Sequence, residues 1–99
     1  KENVFWNATE KKTYITVGNH GTSDTRIVRL YAGTSQNVVN VTASTNIDTG
    51  ITLSAKAVTT ITLTWPNAVA NSWMAGNYYY FKIAAEGQEL GPFPEQAAQ

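Results

Sequence analysis

Residues 59–65 read Thr59-Thr60-Ile61-Thr62-Leu63-Thr64-Trp65, and this alternation of hydroxyl and apolar side chains decides the fold class. A period of two places Ile61, Leu63 and Trp65 on one face of an extended chain and Thr60, Thr62 and Thr64 on the other. Threonine is β-branched, loses rotamer freedom in a helix and fits a pleated surface. The stretch is therefore a half-buried β-strand, and Pro66 ends it by removing a backbone donor.

Outward from that strand, the chain repeats the same grammar in short runs. Strands are expected over residues 3–8, 12–18, 25–32, 36–42, 51–53, 57–65, 77–86 and 89–93, the shortest and the first being the weakest. In 12–18, Ile15 and Val17 share a face. In 25–32, parity turns Val28 and Leu30 inward and Arg29 and Tyr31 outward, which leaves apolar Ile27 on the outer face. In 36–42 it turns Val39 and Val41 inward, with Val38, Asn40 and Thr42 outward. In 77–86, Tyr79, Phe81, Ile83 and Ala85 face one way, and Tyr78, Tyr80, Lys82 and Glu86 the other. Asn19-His20-Gly21-Thr22-Ser23-Asp24, Gly33-Thr34-Ser35 and Gly87-Gln88 are turns, because Gly, Asn, Asp and Ser supply left-handed conformations or local hydrogen bonds. Residues 43–50 and 67–76 read as loops, and 94–99 as a frayed tail. No helix longer than a turn is expected. About seven regularly spaced strands with no helical period between them imply an all-β antiparallel two-sheet sandwich, immunoglobulin-like in the broad sense. Residues 1–99 form a single domain, since a chain of this length buries about 60 to 65% of its unfolded surface in one modest core.

Seven acidic and seven basic side chains cancel. No window concentrates Lys and Arg, so neither a nucleic-acid footprint nor a polybasic membrane patch is present. No run approaches the ~20 apolar residues of a membrane span, and none has the order of a signal peptide. The chain opens on Lys1, from which an N-terminal segment is expected to have been removed. There is no cysteine, which excludes disulfides, thiolate catalysis and sulfur-based zinc sites. Few charges beside abundant Thr, Ser and Asn suit an exported surface.

A search for chemistry returns little. His20, the one histidine, lies in a turn without the convergent partners that a metal or a nucleophile requires. Asp24 and Asp48 sit where aspartate caps backbone amides. Glu86, Glu89 and Glu95 are available for paired-carboxylate chemistry, yet no spacing requires it. Neither a phosphate loop nor a metal-ligand pattern occurs, so no enzyme, catalytic residue, cofactor or metal is expected. Asn7 and Asn40 open Asn-x-Thr sequons that admit an N-linked glycan. Nine asparagines, with Ser and Thr making up 19 of 99 residues, produce roughly 1.7 such sequons by chance. The aromatic residues are more telling. Trp65, Tyr79 and Phe81 belong to the core, whereas Tyr78 and Tyr80 stand on the outer face and Trp73 in a loop. Together with Val38, the residues Trp73, Tyr78 and Tyr80 are the interface candidates.

The order of these motifs resembles that of a known family. Tyr14-Ile15-Thr16-Val17-Gly18-Asn19-His20-Gly21-Thr22-Ser23-Asp24 and then Ile27-Val28-Arg29-Leu30-Tyr31-Ala32-Gly33-Thr34 look like the opening of the soluble domains of archaeal type IV pilins and archaellins. Ile51-Thr52-Leu53, residues 58–65, Ala75-Gly76-Asn77-Tyr78-Tyr79-Tyr80-Phe81-Lys82-Ile83 and Glu86-Gly87-Gln88-Glu89-Leu90-Gly91-Pro92-Phe93 are similar to the family's Thr-rich strand, Gly-x-Tyr strand and terminal hairpin. The resemblance covers about residues 13–93. It implies an extracytoplasmic immunoglobulin-like domain in the archaeal pseudo-periplasm or filament, carried on an N-terminal hydrophobic helix that packs into the filament core. These 99 residues depart from the family in lacking that helix, the only membrane contact the resemblance implies. The implied partners are other filament subunits, including further copies of the same chain, or a surface-layer protein for an accessory or stator component. The family has no catalytic residues to carry over, and its working surfaces are the outer faces of the sandwich. Uncharged, hydroxyl-rich strands suit such contacts, and Lys56 and Pro66 flank the Thr-rich strand where they discourage unwanted strand addition. A carbohydrate- or surface-layer-binding sandwich using Trp6, Trp73 and Tyr78 is the alternative reading, and a generic adhesion module is a third.

Overall fold

Alternating burial along each strand sorts the chain into two antiparallel sheets, seen in a computed structural model that describes residues 3–47, 50–67, 69 and 72–98. The first sheet has three strands: β1 (Asn3–Asn7), β2 (Lys12–Gly18) and β6 (Val58–Thr64), in the order β1-β2-β6. The second has five: β3 (Thr25–Gly33), β4 (Val39–Asn40), β5 (Ile51–Leu53), β7 (Tyr78–Ala85) and β8 (Gln88–Gln96). Its order is β4-β3-β7-β8, with β5 also pairing β3. Both sheets turn apolar faces inward, Ile15, Ile61 and Leu63 from one meeting Leu30, Phe81 and Ile83 from the other in a single buried cluster.

The threonine ladder behaves as its period demands. Ile61 and Leu63 are buried, Thr60 and Thr64 are exposed and Thr62 is half-buried. β6 is, however, an edge strand, and an open edge invites pairing with another chain. Asn46 closes it. Its Oδ1 accepts the Thr62 N–H at 2.9 Å and its Nδ2 donates to the Thr60 carbonyl at 3.1 Å, so one side-chain amide imitates a neighbouring strand. Thr45 adds a bridge to Leu63. Lys56, expected to guard this edge electrostatically, instead donates from Nζ to the His20 carbonyl at 2.9 Å and ties two loops together.

Three local expectations are corrected. Ile27 is buried rather than outward, because a bulge between Ile27 and Arg29 inserts Val28 as an extra residue against β7 and inverts parity. Opposite it, Ala85 keeps the inward direction expected of it and is half-buried, whereas Ala84, paired with exposed Arg29, is buried outside the core cluster. Val39 is 49% exposed, since β4 lasts only two residues before a 3-10 turn at Thr42–Ser44. The Thr42 hydroxyl drives that turn: it accepts the Leu30 N–H at 3.1 Å and donates to Asn40 Oδ1 at 2.6 Å. Val39 pairs with the buried Ala32 and so keeps its core-side direction, but it stands at the sheet margin and Val41, bonded to the Leu30 carbonyl, alone enters the core. Finally, the residues expected to fray continue β8 to Gln96, after which Ala97 is buried and exchanges backbone hydrogen bonds with Gly76 and Asn77.

Candidate functional site

Parity along β7 presents Tyr78, Tyr80 and Lys82 on the outer face of the five-stranded sheet, opposite the buried Tyr79, Phe81 and Ile83. Tyr80 faces Gly33 on β3 and Pro94 on β8, and the missing side chain at Gly33 leaves room for the backbone of Ser35, Asn37 and Val38. A Cβ at Gly33 would lie 3.2 Å from Val38 Cα, so the loop over residues 34–38 folds back beside Tyr80. One strand pair further on, Tyr31 opposes Lys82. The Lys82 Nζ sits 4.5 Å from the centre of the Tyr31 ring and 3.9 Å from Glu89 Oε2. At an exposed site each such contact contributes at most about 1 kcal/mol. Tyr78 is 58% exposed and Met74 65%. These two share a shallow depression of about 700 Å³ with Thr34, Ser72, Gly76 and Asn77.

Three of the four interface candidates, Val38, Tyr78 and Tyr80, are thus brought to one face. Trp73 is not among them. It is 1% exposed and plugs one end of the sandwich, with its ring edge-on to Trp6 at 5.3 Å and Lys11 Nζ 4.5 Å from its centre. The Met74 N–H donates to the Tyr79 hydroxyl at 2.8 Å, which fixes the loop and sends Met74 outward. Loop position suggested exposure for Trp73, but an open sandwich end lined by Trp6, Trp65 and Tyr79 is an apolar hole that a tryptophan fills. Trp6 is likewise buried, stacked on Trp65 at 6.4 Å. Two of the three rings that motivated a sugar-binding reading are therefore core residues.

Met74 and Tyr31 complete the aromatic face and were not singled out from sequence. The outward parity of Tyr31 was the available signal; Met74 had none. A second exposed pair lies on the three-stranded sheet, where Phe5 is 57% exposed and its ring lies 6.0 Å from Tyr14. The Tyr14 hydroxyl donates to Glu10 Oε1 at 3.0 Å. That hydrogen bond, with the carboxylate's negative charge in support, raises the Tyr14 phenol above its ordinary value.

No family model matches the chain, and neither a curated protein nor a solved structure matches it.

The remaining candidates have local duties. Asn7 Oδ1 accepts the Glu10 N–H at 3.0 Å within the β1–β2 turn. Asn40 Oδ1 accepts both the N–H and the hydroxyl of Thr42. Asp24 Oδ1 accepts the Ala55 N–H at 3.0 Å, a capping role of the kind expected, whereas Asp48 lies outside the described residues. At the end of the sandwich away from Trp73, a groove of about 400 Å³ runs between the β2–β3 loop and the β7–β8 turn, with Val17, Ile27, Leu53, Ile83 and Leu90 among its lining. Among the described residues, no three His, Cys, Asp or Glu side chains converge to hold a metal ion. No helix there is long and apolar enough to cross a membrane.

Proposed function

We propose that this chain is a non-catalytic, extracytoplasmic domain of an archaeal type IV filament, either a pilus or archaellum subunit or an accessory or stator protein, acting through protein contacts. The observation that carries the proposal is the gathering of Tyr78, Tyr80, Val38, Tyr31 and Met74 on the outer face of one sheet. Tyrosine and methionine supply large apolar contact area at modest conformational cost, which is why they recur at interface centres. An apolar, polar-rimmed patch of this kind marks a contact surface on a small domain. A filament grows through heterologous contacts between different patches of successive subunits. The partners are accordingly other filament subunits or a surface-layer protein.

The test replaces Tyr78 and Tyr80 together by glutamate in the full-length protein in its own cells. Both side chains point away from the core, so the soluble domain keeps its circular dichroism and its unfolding midpoint. Assembly into filaments, or retention in the envelope fraction, is expected to fall by at least about tenfold. Normal assembly with the doubly substituted protein sinks the proposal.

A further inference from the structure

The sandwich presents four sheet edges, at β1, β6, β8 and the β4/β5 flank of β3, and three of them are blunted against strand addition. Asn46 caps β6. β8 carries Pro92 and Pro94, which lack a backbone donor, together with Glu89 and Glu95. The β3 flank is covered by strands of two and three residues. The β1 edge differs: Asn3-Val4-Phe5-Trp6-Asn7 contains neither a proline nor a charge.

Hydrogen-bond parity shows which groups this edge offers. The Thr60 carbonyl and the Thr62 N–H point to Asn46, away from β2. Successive residues of a strand point to opposite sides, so Ile61 bonds its partner Ile15 on β2. Thr16 and Tyr14 then point to β1, where they pair with Asn3 and Phe5. The main-chain N–H and C=O of Val4 and Trp6 must face outward, and among the described residues nothing bonds them.

We propose that a second copy of this chain adds its own β1 antiparallel to this edge, on a two-fold axis at Phe5. The sequence is symmetrical about that point in polarity: amide, apolar, Phe, apolar, amide. Pairing about Phe5 sets Asn3 opposite Asn7 of the second copy and Val4 opposite Trp6. Both inward-facing residues stay on the core side, no charge is buried, and two-fold symmetry closes the contact. The exposed donors fit the same register. Val4 and the Trp6 of the second copy exchange two hydrogen bonds, the axis repeats them, and the two Phe5 rings meet in a non-hydrogen-bonded pair, where side chains come closest. This contact lies on the other sheet and stands independently of the aromatic-face reading. It is short, about 17 Å of strand at about 3.4 Å per residue, so the dimer is weak and is sought at up to about 1 mM.

Sedimentation of the purified domain is expected to show a concentration-dependent monomer–dimer equilibrium. Phe5→Lys and Phe5→Glu, which alter an exposed side chain, are each expected to weaken dimerisation by at least about tenfold, and their equimolar mixture to restore it. The chain has no cysteine, so the register is read by cross-linking. Phe5→Cys is expected to form a disulfide-linked dimer at least about tenfold faster than Asn3→Cys or Asn7→Cys alone, because non-hydrogen-bonded partners bring their Cα atoms to about 4.5 Å. A wild-type domain monomeric throughout the concentration range overturns the proposal. So does undiminished dimerisation of Phe5→Lys, or equal cross-linking at the three positions.

Discussion

Replacing Thr13 by valine removes one hydroxyl from the core and leaves its outline intact. Thr13 is fully buried, and its Oγ1 accepts the indole N–H of Trp65 at 2.9 Å. Valine opens no cavity, but it leaves that N–H in an apolar site with no acceptor. An orphaned buried donor costs about 1–3 kcal/mol, and the added methyl surface returns up to about 0.8 kcal/mol. The net expectation is a loss of about 1–2 kcal/mol. For a domain of this size each kcal/mol moves Tm by about 4–8 °C, so Tm falls by roughly 5–15 °C. Among the described residues the core already holds one indole N–H with no hydrogen-bond acceptor, the Trp73 Nε1, and the substitution adds a second. Urea unfolding followed by tryptophan fluorescence measures the change, with the m value unaltered. A cycle with Trp65→Phe separates the hydrogen bond from the loss of ring volume and is expected to show a coupling of about 1 kcal/mol or more. A Thr13→Val protein within about 0.5 kcal/mol of wild type refutes the reasoning.

Two further outcomes follow from individual contacts. Asn46→Ala uncaps the β6 edge, so stability is expected to fall by about 1–2 kcal/mol and light scattering to rise with concentration; unchanged values in both would mean that the amide does not protect the edge. Glu10→Gln removes the charged acceptor of the Tyr14 hydroxyl, and the phenol titration, followed by NMR of the ring, is expected to move down toward the ordinary 10.0. The sign follows from the bond: it favours the protonated phenol, so its contribution is present below the unfolded-state pKa and is lost as pH rises through the higher folded value. An unmoved midpoint would assign the shift to another cause.

The alternation in residues 59–65 was enough to identify β6 and its two faces, and the same period correctly separated Tyr78 and Tyr80 from Tyr79 and Phe81. It failed at Ile27, where the bulge at Val28 means that the count of residues no longer tracks the face, and it carried no sign that Val39, although paired with buried Ala32, is left half exposed in a two-residue edge strand. A bulge depends on what the opposite strand offers, which periodicity within one strand does not contain. Polarity in the final residues gave no sign that β8 continues to Gln96, because its pairing with Tyr78 is specified across the sheet.

Sequence by itself determined the class of fold, the main strands and the presence of exposed tyrosines, because side-chain direction in a strand is a local, period-two property. Tertiary structure alone decided that Trp73 closes the core rather than meeting a partner, that Met74 takes the outward place beside Tyr78, and that Asn46 guards the Thr-rich edge. Each of these depends on which distant surface lies alongside, and burial is a property of that meeting rather than of the residue.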